Sequence, residues 1–234
     1  RKWVLLLNTY LKERRELLEH QESVNERSFE IWNREKFLSR EQGKKILKRC
    51  GLELDLLNVY GTSEPLSYYS HTRDVPQNLL ILENKDTFYS MRRHLQGGNE
   101  TILGERIKTL IYGAGKRIWR SFQDFELCVE SYMKAEGNRI FYFGDLDYEG
   151  IGIYESLAEL CRDSREILPF VPAYEAMMKK AGQREDLPET KEMQNRNIRE
   201  AFFSHFTPEY AGAMRRILEE GKYIPQEILN ISDF

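Results

Sequence analysis

Three carboxylates occupy positions where chemistry is commonly done. Glu83 closes the apolar run "NLLILE" at 78–83, and Asp145 and Asp147 stand in "FYFGDLDYEG", directly after the apolar run 139–144. Aspartates at i and i+2 past a strand end can turn both side chains to one side if the backbone bends, and Gly144 and Gly150 make a bend cheap. With Glu83 they form an all-oxygen set. Such a set suits Mg²⁺, which takes oxygen ligands, keeps several waters and is completed by substrate phosphates, so the chemistry indicated is that of phosphodiesters. Clustered carboxylates without a cation repel one another, and their pKa values rise. Taken alone, an Asp-x-Asp after a strand also fits a solvated turn or a helix N-cap, and a terminal Glu fits a strand meeting water.

The elements that must position these groups follow from the apolar pattern. Four continuous apolar runs, at 78–83, 107–112, 139–144 and 166–171, read as strands buried on both faces. Helix-like segments at about 85–96, 115–135 and 149–162 separate them. Strict alternation predicts an α/β fold with a parallel sheet and right-handed crossovers. In such a sheet ligands bind beyond the carboxyl ends of the strands. Glu83, the loop Gly113-Ala-Gly-Lys116, Asp145 and Asp147 all fall on that edge. The loop lacks the GxxxxGK[ST] spacing, because Arg117 stands where Ser or Thr belongs, so it is not a phosphate-cradling P-loop.

Upstream, residues 3–20 have helical amphipathic spacing, a second helix is expected at 40–50, and a short element near 54–60. The segment 61–77 reads as a turn, a short extended piece and a linker, with a boundary near 72–77 dividing a domain at 1–74 from one at 75–234. From about 173 to 230 the pattern is helical, with 181–190 as a polar connection. Net charge is −3 and the sequence pI about 6.0, so any basic surface is local. Candidate phosphate contacts are Lys44, Lys45, Lys48 and Arg49 on one helix, Lys85, Arg92 and Arg93, and Lys116 with Arg117. Any one of these also fits a solvated helix face. Cys50, Cys128 and Cys161 are odd in number and widely spaced, which suits a reducing cytoplasm better than a disulfide frame or zinc site. No apolar run approaches the roughly 18–20 residues of a membrane span. The first residue is Arg1, so the sequence reads as the later part of a longer chain.

The stretches "ILENKDTF", "YGAGKRI", "YFGDLDYEGI" and "KYIPQEIL", in that order, resemble the C-terminal Toprim domain of JetD, the nuclease subunit of Wadjet anti-plasmid systems, over roughly residues 75–230. "SFEIWNREKFL" and "REQGKKILKRCGL" are similar to the winged helix that precedes Toprim in JetD and in the topoisomerase VI A subunit. The resemblance implies a Toprim sheet flanked by helices, preceded by a small winged-helix domain and followed by C-terminal helices. It implies Glu83, Asp145 and Asp147 as ligands of Mg²⁺ or Mn²⁺, with Glu83 also handling a proton. Glu149 is either a fourth carboxylate or a first-turn helix residue favoured by the helix dipole. The implied substrate is double-stranded DNA, cut by a homodimer on targets chosen by an SMC-type motor complex. The topoisomerase relatives cut with a winged-helix tyrosine. The expected recognition helix here has none, and Tyr68 and Tyr69 lie after it, so hydrolysis is expected over transesterification. The C-terminal helices, including "KYIPQEIL", are expected to give structural support or a dimer contact and no catalytic group.

Overall fold

The computed structural model describes residues 1–191 and 194–234 and divides them between units at 1–63 and 64–234. In the first unit, helix α1 (Lys2–Glu13) buries Leu7 and Tyr10, and the predicted helix breaks there into a 3₁₀ turn at Arg15–Glu19. A two-residue strand β1 (Glu22–Ser23) pairs in parallel with β2 (Val59–Tyr60). Helix α2 (Val24–Trp32) starts on a capping box, in which Ser23 Oγ accepts from Glu26 N while Glu26 reaches back to Ser23 N. Helices α3 (Phe37–Arg40) and α4 (Gly43–Arg49) meet so closely that a Cβ at Gly43 would lie 2.6 Å from Leu38 Cα. A glycine is therefore required at that crossing. Ile31, Trp32, Phe37, Leu38, Leu47 and Leu57 join Leu7 and Tyr10 in this unit's own core. Its strand pairing among the described residues is the parallel ladder alone, so no antiparallel wing follows α4 there.

The second unit is built on a five-stranded sheet. Its elements in chain order are β3 (Ser67–Ser70), β4 (Asn78–Leu82), α5 (Lys85–Gln96), β5 (Ile107–Tyr112), α6 (Ile118–Gln123), α7 (Phe125–Cys128), β6 (Arg139–Phe143), α8 (Tyr148–Cys161), β7 (Ile167–Pro169), α9 (Val171–Ala181) and α10 (Pro208–Glu219). The strand order is β3-β5-β4-β6-β7, parallel except for β3. The central strand β4 is inaccessible beyond Asn78, with Leu79 to Leu82 all 0% exposed, as its unbroken apolar run requires. Mixed α/β architecture is thus observed.

Three expectations are corrected. The sheet is not wholly parallel, because the short extended piece expected within 61–77 is the antiparallel edge strand β3 of the second unit, whose Tyr68 and Tyr69 pair with Ile111 and Leu110. The expected helix at 115–135 is cut into α6 and α7 at Asp124, a residue that competes for backbone groups, where the Phe122 and Phe125 rings pack 4.7 Å apart. Between α9 and α10 the described chain is largely non-helical, and Gly182, Pro188, Asn195 and Asn197 are residues there that disfavour a helix. Part of it pairs with the residues after α10, through Thr190 N to Gly221 O at 2.8 Å and Tyr223 N to Pro188 O at 3.0 Å. Among the described residues, no helix is long and apolar enough to cross a membrane.

Candidate metal centre

The carboxylates converge because β4 and β6 are hydrogen-bonded neighbours in register, with Leu82 opposite Phe143. Both chains leave the sheet at the next residue. Glu83 N donates to Phe143 O at 3.1 Å, which fixes the corner. Tyr142 Oη donates to Glu83 Oε2 at 2.9 Å, so the glutamate lies across the end of β6. Gly144 makes room for it: a Cβ there would collide with Glu83 Oε2 and come within 2.7 Å of Tyr142 Oη. Gly144 N in turn donates to Tyr174 Oη at 3.0 Å.

Asp145 and Asp147 are held differently. Asp145 Oδ1 accepts the backbone N–H of Gln226 at 2.7 Å. Asp147 is the N-cap of α8, its Oδ1 accepting from Gly150 N at 2.6 Å, while Oδ2 accepts from Gln194 Nε2 at 2.6 Å. The cap and ligand readings of Asp147 therefore fall on one residue. Gly150 is required beside it, since a Cβ there would strike the Asp145 carbonyl oxygen.

The electrostatics are those of crowded acids. Burial, then the charge of Asp145, pushes Glu83 up to about 7, against the opposing hydrogen bond from Tyr142. Burial also lifts Asp145 to about 6, with Asp147 and Glu227 adding to it and the Gln226 N–H and Lys191 pulling it down. A divalent cation is the natural relief for this arrangement, and the donors are all hard oxygens, so the residues fit Mg²⁺ or Mn²⁺. Among the described residues no set of three or more His, Cys, Asp or Glu side chains is gathered tightly enough to grip an ion by itself. The fit is to an ion held by few protein oxygens and completed by water and phosphate.

The other sequence candidates scatter. Lys85 is exposed in the first turn of α5, immediately after the N-cap Asn84. Lys116 is exposed and paired with Glu149 at 3.1 Å, which puts Glu149 on the surface in the first turn of α8. Lys44, Lys45, Lys48 and Arg49 are all exposed on α4 in the first unit, opposite its buried Ile46 and Leu47. Sequence reasoning missed Gln226. Fully buried, it joins both halves of the site: besides its N–H on Asp145, its Oε1 accepts from Asn84 N at 2.8 Å and its Nε2 donates to Phe143 O at 3.0 Å. The signal was present as a glutamine between Pro225 and Glu227 in "KYIPQEIL", but no local period marks it as buried.

The family model described as Wadjet protein JetD, C-terminal, matches residues 40–220. No curated protein matches the chain. The chain belongs to the JetD C-terminal family.

Proposed function

We propose that this JetD-family chain is a Toprim DNA endonuclease that depends on Mg²⁺ or Mn²⁺ and serves as the nuclease subunit of a Wadjet anti-plasmid system. The observation that carries the reading is that Glu83 and Asp145 follow the ends of adjacent parallel strands, half-buried, with the charge of Asp145 raising Glu83, at the carboxyl edge of the sheet. A bound divalent ion would neutralise charge on the phosphate and lower the pKa of the attacking water. The protein's part is positioning and proton handling. Tyr142 fixes one Glu83 oxygen and so orients the carboxylate to take a proton from the attacking water. Gln226 and Gln194 hold Asp145 and Asp147 in orientation. Lys85 and Lys116 on this unit, and Lys44, Lys45 and Lys48 on α4 of the first unit, supply phosphate contacts to double-stranded DNA. A second copy of the chain provides the cut on the other strand, and an SMC-type motor selects the target, as family membership suggests.

A tyrosine nucleophile is the weaker reading. Burial pushes the Tyr68 hydroxyl up, which favours the neutral phenol, and Tyr69 lies under the Arg92 guanidinium at 5.0 Å within the same edge strand. Supercoiled plasmid incubated with Mg²⁺ tests the reading. Glu83→Gln and Asp145→Asn should each lower nicking by about 10²–10⁴-fold, with circular dichroism unchanged. Full activity in either variant, or a covalent protein–DNA adduct lost in Tyr68→Phe, overturns it.

A further inference from the structure

Beside the carboxylates lies a cleft of about 520 Å³, walled by α6, the first turns of α8 and the segment 194–199. It touches the candidate centre through Gln194, which lines the cleft and donates to Asp147 Oδ2 at 2.6 Å, and through Tyr148, the residue after Asp147. Its wall carries two half-buried aromatic side chains, Trp119 and Tyr148. Trp119 is fixed by its indole Nε1, which donates to Ile153 O at 3.2 Å, and Tyr148 lies under the Arg196 guanidinium at 5.7 Å. Three exposed cations stand near it: Lys116 and Arg199 line the cleft, paired with Glu149 at 3.1 Å and Glu159 at 3.5 Å, and Arg196 reaches it over the ring of Tyr148. The segment bearing the two arginines is itself tied down, with Arg199 N donating to the buried Glu155 at 2.7 Å.

Aromatic platforms inside, amides along the wall and cations at the rim are the combination that binds unpaired nucleic acid: bases stack on rings, and phosphates meet the basic groups. A volume of about 520 Å³ is of ligand-pocket size and suits a single nucleotide. Bases within a duplex keep their faces on one another and offer none to Trp119. We propose that this cleft receives one unpaired nucleotide of a DNA strand, with its base against Trp119 and Tyr148 and its flanking phosphates against Arg196 and Arg199. The inference rests on the nuclease reading, and it makes local strand separation part of how the DNA is held beside the carboxylates.

Intrinsic fluorescence tests it on the full chain in EDTA, where no cleavage can occur. The tryptophans are Trp3, Trp32 and Trp119, and only the last lies in the cleft. A short single-stranded oligodeoxynucleotide should quench emission, and the same sequence as a blunt duplex should quench less. Trp119→Phe should abolish the quenching while binding, followed by anisotropy of a labelled strand, stays within about twofold, because the ring is kept. Trp119→Leu and the exposed Arg196→Ala should each weaken single-strand binding by about tenfold. Quenching that survives in Trp119→Phe overturns the proposal, as does wild-type affinity in Arg196→Ala, or a free deoxynucleoside monophosphate that quenches at the oligonucleotide's concentration. Glu83→Gln separates the two readings. If it quenches normally while wild-type protein never nicks plasmid in Mg²⁺, the nuclease reading fails alone. If plasmid is nicked while Trp119→Leu binds single strands like wild type, the cleft fails alone.

Discussion

Both units bury charge, and they do so in opposite ways. In the first, Arg27 is 0% exposed and its guanidinium makes five hydrogen bonds: to Leu57 O, Tyr10 Oη, Glu30 Oε2, Leu17 O and His20 O, at 2.5–3.1 Å. That uses the full donor capacity of the group. Opposite charge from Glu30 and an array of carbonyls compensate it, and Tyr10, beside it, is pushed up to about 12 by burial and its bond to Glu30. In the second, Glu83 and Asp145 face each other with like charge, and the N–H and O–H groups around them offset only part of the cost. A compensated buried charge organises a core, whereas an uncompensated one is tolerated where something else is to arrive.

Deleting the compensated charge should have the larger effect on folding. Arg27→Met leaves Glu30 and several carbonyls without their donor and should cost the first unit about 3–5 kcal/mol, measured by urea unfolding followed at Trp3 and Trp32. A variant as stable as wild type would erase the distinction between the clusters. The uncompensated pair should respond to pH instead. Glu83 and Asp145 are lifted above their ordinary values of 4.5 and 3.8, so the folded state holds protons that the unfolded state has released. Their contribution to stability is complete below those ordinary values and is lost as pH rises through about 6 and about 7. Thermal unfolding in EDTA should therefore show the second unit gaining stability as pH falls across that window, with Glu83→Gln flattening the gain and Mg²⁺ opposing it. A flat profile in wild-type protein would contradict the crowding. The smallest effect concerns Asp147. In the absence of metal, Asp147→Ala should lose about 1 kcal/mol from the α8 cap, and Asp147→Asn, which keeps an acceptor for Gly150 N, should lose only a fraction of that.

The contrast also separates what could be read in the sequence from what could not. Strands β4 to β7 were legible because a strand buried on both faces writes an unbroken apolar run. The nearness of Glu83, Asp145 and Asp147 was legible because parallel topology sends every strand end to one edge. β3 was legible only as a short extended piece and not as part of the sheet, since "SYYS" at 67–70 is short and polar at its ends and joins the sheet by pairing with residues some forty positions onward, at Thr109–Tyr112. Tyr142 lies within the apolar run 139–144, and nothing in that run marks the hydroxyl that anchors Glu83. Gln226 was invisible for a stronger reason. Its partners Asn84 and Phe143 are separated from it by 142 and 83 positions, and contacts of that span leave no periodic trace. Arg27 was not singled out, because an arginine among polar neighbours such as Asn25, Glu26 and Ser28 is ordinarily exposed.

The reach of Gln226 bears on synthesis as well as structure. A chain growing from its N-terminus completes β4 and β6, with all three carboxylates, long before residue 226 leaves the ribosome. Until then Asp145 lacks its backbone donor, and the corners at Asn84 and Phe143 are untied from each other. The centre is therefore assembled late, and an incomplete translation product carries the acids without the clasp that sets them.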